Sequence, residues 1–133
     1  MANAVTVQTL VDGPRNVILK VEGVLDTSNA SAVELIDPAT LSAIDLHGQL
    51  PTKLRIDKIV YDVSSPLNAV LLWDATTDVE IIKLSGYGEF DASKFGGLVN
   101  NAGSGITGKI LLTTTGYASG TVRLSLLLEC VKQ

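Results

Sequence analysis

From residue 122 to residue 130 the side chains alternate. Val122, Leu124, Leu126, Leu128 and Cys130 share one phase, and Thr121, Arg123, Ser125 and Glu129 take the other. A period of two belongs to an extended strand with one dry face and one wet face, because successive side chains point to opposite sides of a pleated backbone. Residues 106–115 repeat the pattern: Ile106, Ile110 and Leu112 with Gly108 in phase, and Thr107, Lys109, Thr113 and Thr115 opposite. Between the runs stands Gly116-Tyr117-Ala118-Ser119-Gly120, so the pair reads as a hairpin closed by a five-residue, glycine-bounded loop. Two strands alone are marginal in water. The remaining chain must therefore supply a sheet to cover this apolar face.

It carries the material to do so. Residues 4–11 are β-rich and end at Asp12-Gly13-Pro14, where glycine tolerates positive φ and proline presets the following turn. Residues 15–25 alternate again, with Val17, Leu19 and Val21 against Ile18, Lys20 and Glu22. Residues 30–36 read as a short strand rather than a helix, since Asp37-Pro38 stops them before three turns. Residues 37–51 form an ordered loop. Alternation resumes at Leu54 and Ile56 and then changes phase to Ile59, Tyr61 and Val63, which one inserted residue explains; a β-bulge is expected near Asp57-Lys58. Residues 68–74 and 79–84 form a second hairpin about Ala75-Thr76-Thr77-Asp78. There Trp73 opposes Val70 and Leu72, so both faces of the first strand are apolar, as between two layers or at a subunit contact. Residues 85–108 hold seven of the twelve glycines and read as a short strand near Tyr87 followed by a long ordered loop. Eight or nine short strands with scarcely a helical period predict an all-β fold: one antiparallel β-sandwich domain over residues 1–133, jelly-roll-like, with a long glycine-rich loop.

Length agrees with a single domain, since 133 residues can bury a core without disulfides or metal. Cys130 is the only cysteine, so no intrachain bridge forms. Charged residues make up 18% against about 25% in an average domain. The surplus of uncharged side chains suits a large core or a contact surface with other chains, whose centres are depleted in charge. A net charge of −4 with scattered basic residues argues against nucleic acid, where affinity comes from lysine and arginine on phosphates. The amino terminus lacks the basic-then-apolar order of a signal peptide and no apolar run reaches membrane-spanning length, so synthesis in a cytoplasm is expected.

The chemistry-bearing residues read as structural. Gly103-Ser104-Gly105-Ile106-Thr107-Gly108 spells a dinucleotide fingerprint, yet that motif must open a helix and here a strand follows. His47 is the only histidine and lies in the irregular loop without an evident carboxylate to orient it, which leaves a small hydrolase as a distant third reading. One histidine and one cysteine do not make a structural zinc site. Asp74, Asp78 and Glu80 crowd a turn but miss the spacing of a calcium loop, and Asp57 with Asp62 lacks an apolar pocket to separate two pKa values. Asn29-Ala30-Ser31 spells a glycosylation acceptor that needs secretion. Cys130 reads as a buried hydrophobe. Neither catalysis, cofactor nor metal is expected.

Several stretches carry a resemblance. They are the opening Met1-Ala2-Asn3-Ala4-Val5-Thr6-Val7-Gln8-Thr9-Leu10, Asp12-Gly13-Pro14-Arg15-Asn16, Leu71-Leu72-Trp73-Asp74-Ala75, Phe95-Gly96-Gly97-Leu98, Asn100-Asn101-Ala102-Gly103 and Thr107-Gly108. With these the chain resembles small proteins encoded among the capsid genes of tailed bacteriophages, over nearly its whole length and least across residues 30–51. The resemblance implies a capsid cement or decoration protein: a β-sandwich on the outer surface of the virion head that clamps neighbouring subunits of the major capsid protein, without nucleic acid or membrane as partner.

The expected partner-binding residues follow from exposure arguments. Val5, Val7 and Leu10 belong to an amino-terminal arm, residues 2–10, of the kind that orders on a partner. Trp73, Tyr87, Phe90 and Phe95 are aromatic anchors, with the sandwich core as the competing place for Trp73 and Phe90. Leu127 and Val131 are apolar on an otherwise polar face. Self-association as a dimer or trimer is expected. The rival function is a carbohydrate-binding or host-adhesion module with Trp73 or Tyr117 stacked on a sugar; burial of Trp73 counts against it.

Overall fold

The computed structural model describes residues 3–44 and 46–132. Nine strands follow one another: β1 (Ala4–Asp12), β2 (Asn16–Leu25), β3 (Val33–Ile36), β4 (Leu54–Val63), β5 (Asn68–Trp73), β6 (Val79–Leu84), β7 (Gly86–Asp91), β8 (Ile110–Thr115) and β9 (Val122–Lys132). Two short 3-10 turns, Pro38–Thr40 and Ser93–Phe95, complete the regular structure among the described residues.

The strands form two sheets, ordered β1-β2-β9-β4-β7 and β3-β8-β5-β6, with every pairing antiparallel. The chain is therefore an all-β sandwich, as the alternation requires. One core lies between the sheets. Val17, Leu19, Val21 and Leu25 of β2, Leu124, Leu126 and Leu128 of β9, and Ile56, Ile59 and Val63 of β4 meet Ala69, Leu71 and Trp73 of β5 and Ile110 and Leu112 of β8. Each fully buried side chain of this kind contributes about 1.5–3 kcal/mol relative to exposure, and the row Leu19, Leu128, Ile59 runs across three paired strands with no exposure at all.

The predicted bulge is present: between Ile56 and Lys58 the β4–β9 register slips, leaving Asp57 unpaired on that side. Its carboxylate is held by Arg55, with Nε to Oδ1 at 2.8 Å. The hairpin over residues 68–84 is also present as β5–β6.

The first hairpin of the sequence reading is corrected. β8 and β9 are not neighbours; they lie in opposite sheets and supply the core from opposite sides. Alternation satisfies side-by-side and face-to-face burial equally well, and residues 116–121 are ample to cross the gap of about 10 Å between packed sheets. At the turn out of β8, Gly116 takes φ +89°, and a Cβ there would run into the Pro66 carbonyl oxygen, so conformation and space both exclude a side chain. β8 also begins later than expected. Gly108 takes φ +82°, outside the extended range, where a Cβ would meet the Thr52 carbonyl, and Ile106 before it is exposed.

β1 is corrected in a second way. The amino-terminal residues are not a free arm; from Ala4 onward they pair with β2 as the outermost strand of the five-stranded sheet. Ala2 of the expected arm lies outside the described residues. Asn3 secures the start, donating from Nδ2 to the Ser28 carbonyl at 2.9 Å and accepting at Oδ1 from the Asp26 and Thr27 N–H groups. Asp12 secures the end. Its carboxylate accepts from the buried Lys132 ammonium at 2.6 Å and from the Ser42 hydroxyl and N–H at 2.8 and 3.0 Å.

Candidate functional site

Because directly opposed residues in an antiparallel ladder share a face, the outer surface of the five-stranded sheet can be written row by row. One row reads Gln8, Lys20, Leu127, Val60, Glu89, and the next Thr6, Glu22, Ser125, Asp62, Tyr87. Leu127 and Val60 sit side by side at the centre of the first row. With Tyr61 and Leu126 they line a shallow, mainly apolar depression of about 280 Å³ edged by Lys20, Glu22 and Asp62. The bulge in β4 is the cause of this patch. It moves Ile59, Tyr61 and Val63 to the inner phase and delivers Val60 outward, so this residue was available from the predicted phase change and is the one sequence reasoning left unnamed.

The remaining expected contact residues divide. Trp73 is 1% exposed and belongs to the core; its ring offers no surface to a partner or a sugar, because β5 is an interior strand whose inward face carries Ala69, Leu71 and Trp73. Phe90 packs half-buried against the core and meets Phe95 edge to face, with ring centroids 6.4 Å apart and planes at 75°. Phe95 itself is largely exposed, and Tyr87 is 85% exposed on β7. Val131 is buried rather than presented outward. On β1, Val5 is partly covered, whereas Val7 and Leu10 are exposed. β1 and β7 are the two margins of one sheet, about 19 Å apart at four strand spacings of about 4.8 Å. The expected residues therefore form a β1 group, a central Leu127–Val60 patch and a β7 aromatic group, not one cluster.

Ionisable groups are engaged in local structure. Asp74 accepts from the Thr107 hydroxyl at 2.6 Å and Asp78 from the Ala75 N–H at 3.2 Å, so the carboxylates of that turn organise the turn itself. Asp91 accepts from the Ser93 hydroxyl and N–H, and these bonds hold its carboxyl below the ordinary range. The Glu34 carboxylate raises Lys109, its ion-pair partner at 3.0 Å. Burial pushes the Cys130 thiol up to about 12, with Asp57 and Glu129 adding to the shift, so it stays protonated and unreactive at neutral pH. Gly103-Ser104-Gly105-Ile106-Thr107-Gly108 leads into β8 without opening a helix. His47 is exposed in a turn. Tyr117 donates its hydroxyl to the Gly120 carbonyl at 2.7 Å and is half-buried. Among the described residues no three His, Cys, Asp or Glu side chains converge as metal ligands, and no helix is long and apolar enough to cross a membrane.

The chain matches no family model, no curated protein and no solved structure.

Proposed function

We infer that the protein is a structural binding protein of a tailed-bacteriophage virion, a capsid cement or decoration protein that attaches to the outer surface of the head, bridges subunits of the major capsid protein and acts without catalysis. The observation that carries this reading is the outer surface of the five-stranded sheet: an apolar centre, Leu127 and Val60, inside a ring of single charges, on a rigid scaffold. Such a surface suits adhesion to another polypeptide, where an apolar centre excludes water and a polar rim sets orientation. The resemblance of the sequence to small capsid-gene products supports the choice of partner. The strand order supports the finer fold reading as well. With β1 set aside, two four-stranded sheets β2-β9-β4-β7 and β3-β8-β5-β6 read as a jelly roll, an architecture common among capsid and lectin domains.

A cement protein stabilises a shell by binding the assembled state and not its separated parts. Many copies on one lattice let a weak single contact count. The test uses phage heads prepared without this protein. Recombinant chain added to them is expected to co-sediment at saturable stoichiometry and to raise the temperature at which heads release DNA. A chain carrying Leu127→Lys is expected to lose both effects while keeping its own melting temperature. Failure of the unaltered chain to sediment with heads would overturn the reading.

A further inference from the structure

We propose that two copies of this chain join edge to edge through β1, in antiparallel register about a twofold axis, so that two five-stranded sheets become one ten-stranded sheet. The proposal rests on the self-association expected of a cement protein, not on the identity of the capsid partner.

Two sheets present four outer strands: β1, β7, β3 and β6. An outer strand is a row of unpaired N–H and C=O groups, and proteins protect such rows with charge, proline, shortness or covering segments. Three of these strands are protected. β7 carries Glu89 and Asp91 with two glycines, β6 carries Glu80 and Lys83, and β3 is four residues long with Glu34. β1 is different. It runs nine residues, Ala4 to Val11 hold no charge and no proline, and eight of the nine positions are exposed. It is also held at both ends, by Asn3 on the Asp26–Ser28 turn and by Asp12 on Lys132, so its free hydrogen-bonding groups are already aligned. Little conformational entropy is lost when they are paired.

The side chains favour a second copy of the same strand. A twofold axis perpendicular to the sheet keeps both inner faces on one side, and placing it at Thr6 sets Val5 opposite Val7 and Val7 opposite Val5 of the second copy. Four valines then close over one another on the inner face, where Val7 is now 37% exposed because β1 lacks extensive contact with any strand but β2. On the outer face Thr6 meets its own symmetry mate, and threonine pairs are favourable across strands. In the row through the axis the first like charges are the two Glu22 side chains, each one strand in from the join. Three spacings separate them, about 14 Å, which is beyond the screening length of about 8 Å at physiological salt. The register irregularity between Thr9 and Val11 ends the regular segment and limits slippage, since bulges terminate pairing.

The test is sedimentation of the full chain across a concentration series, with two charge variants. The unaltered chain is expected to reach twice its 14.0 kDa mass. Thr6→Lys sets two ammonium groups against each other at the axis and is expected to raise the dimer dissociation constant about tenfold or more, with a melting temperature unchanged under dilute, monomeric conditions for a solvent-facing position. Thr6→Glu is expected to weaken the dimer likewise, with a small loss of monomer stability because it faces Glu22, and an equimolar mixture of the two variants to regain the dimer through opposite charges. A chain that stays monomeric, or a Thr6→Lys variant that dimerises as before, would overturn the proposal. A monomer that still co-sediments with heads defeats the β1 join and leaves the cement reading standing. A β1 dimer that ignores heads does the reverse.

Discussion

β1 and β9 belong to the same sheet, separated only by β2, and both are long and rich in aliphatic residues, yet they are buried to opposite degrees. β9 hides Val122, Leu124, Leu126, Leu128 and Cys130, while β1 buries no side chain fully and covers only Val5 in part. Alternation is legible in both. What separates them is strand order: β9 lies third of five and faces the opposite sheet across the core, whereas β1 is the outermost strand, in extensive contact with β2 alone. A pattern of two therefore says which way a side chain points, and the neighbours decide whether anything waits there.

The largest test of this contrast is Leu128→Ala. The side chain has no exposure, and truncation is expected to destabilise the fold by about 3–4 kcal/mol through lost transfer energy and the cavity left behind, read from chemical denaturation.

Next comes the tie between the two strands, the Asp12–Lys132 pair. The Lys132 side chain is fully buried and its ammonium also donates to the Ser42 carbonyl at 2.8 Å. Asp12→Ala strands that charge and is expected to cost about 3 kcal/mol. Replacing both partners, Asp12→Ala with Lys132→Met, is expected to recover a large part of this loss, because an apolar side chain removes the need for a counter-charge.

Acid probes the same contact more gently. Desolvation raises the Asp12 carboxyl, but hydrogen bonds from Lys132 and Ser42 outweigh it and hold the group below its ordinary 3.8. The folded state thus favours the ionised form: the contribution is complete above the ordinary value and disappears as pH falls through the lowered one. Melting temperature measured from pH 6 downward, with about pH 4 as the onset, is expected to drop less steeply for Asp12→Asn than for the unaltered chain.

The smallest effect is expected on β1. Val7→Ala removes atoms that are already partly in water, and under dilute, monomeric conditions it is expected to change stability by less than about 1 kcal/mol. A loss as large as that of Leu128→Ala would mean that β1 is covered after all, and the contrast would fail.

The sequence alone made much of this visible, and the gaps have physical causes. The phase change after Ile56 revealed the bulge, because an inserted residue leaves a mark in any alternating strand. The β5–β6 pair was readable from a short turn between two apolar runs. The same reasoning misassigned β8 and β9, since a glycine-bounded loop of similar length serves a tight reversal within one sheet or a crossing between two, and only the partners β2 and β5 decide. Trp73 illustrates the limit for contact residues: apolar groups on both faces of its strand fit an interior position and a subunit contact equally, and the structure places it inside. Leu127 was found as an apolar residue out of phase, but its companion Val60 needed the bulge to be carried forward into a prediction of faces.

The pairing of β2 with β9 joins Asn16 to Val131 and Leu25 to Val122, partners that lie far apart in sequence. A growing chain on the ribosome cannot complete this sheet until β9 has emerged, so the apolar side of β2 must wait, uncovered, while the strands between them are made. Folding dominated by such distant pairings proceeds in milliseconds to seconds rather than microseconds. Deleting β9 would leave β2 and β4 without the strand that joins them, and the five-stranded sheet would fall into two pairs.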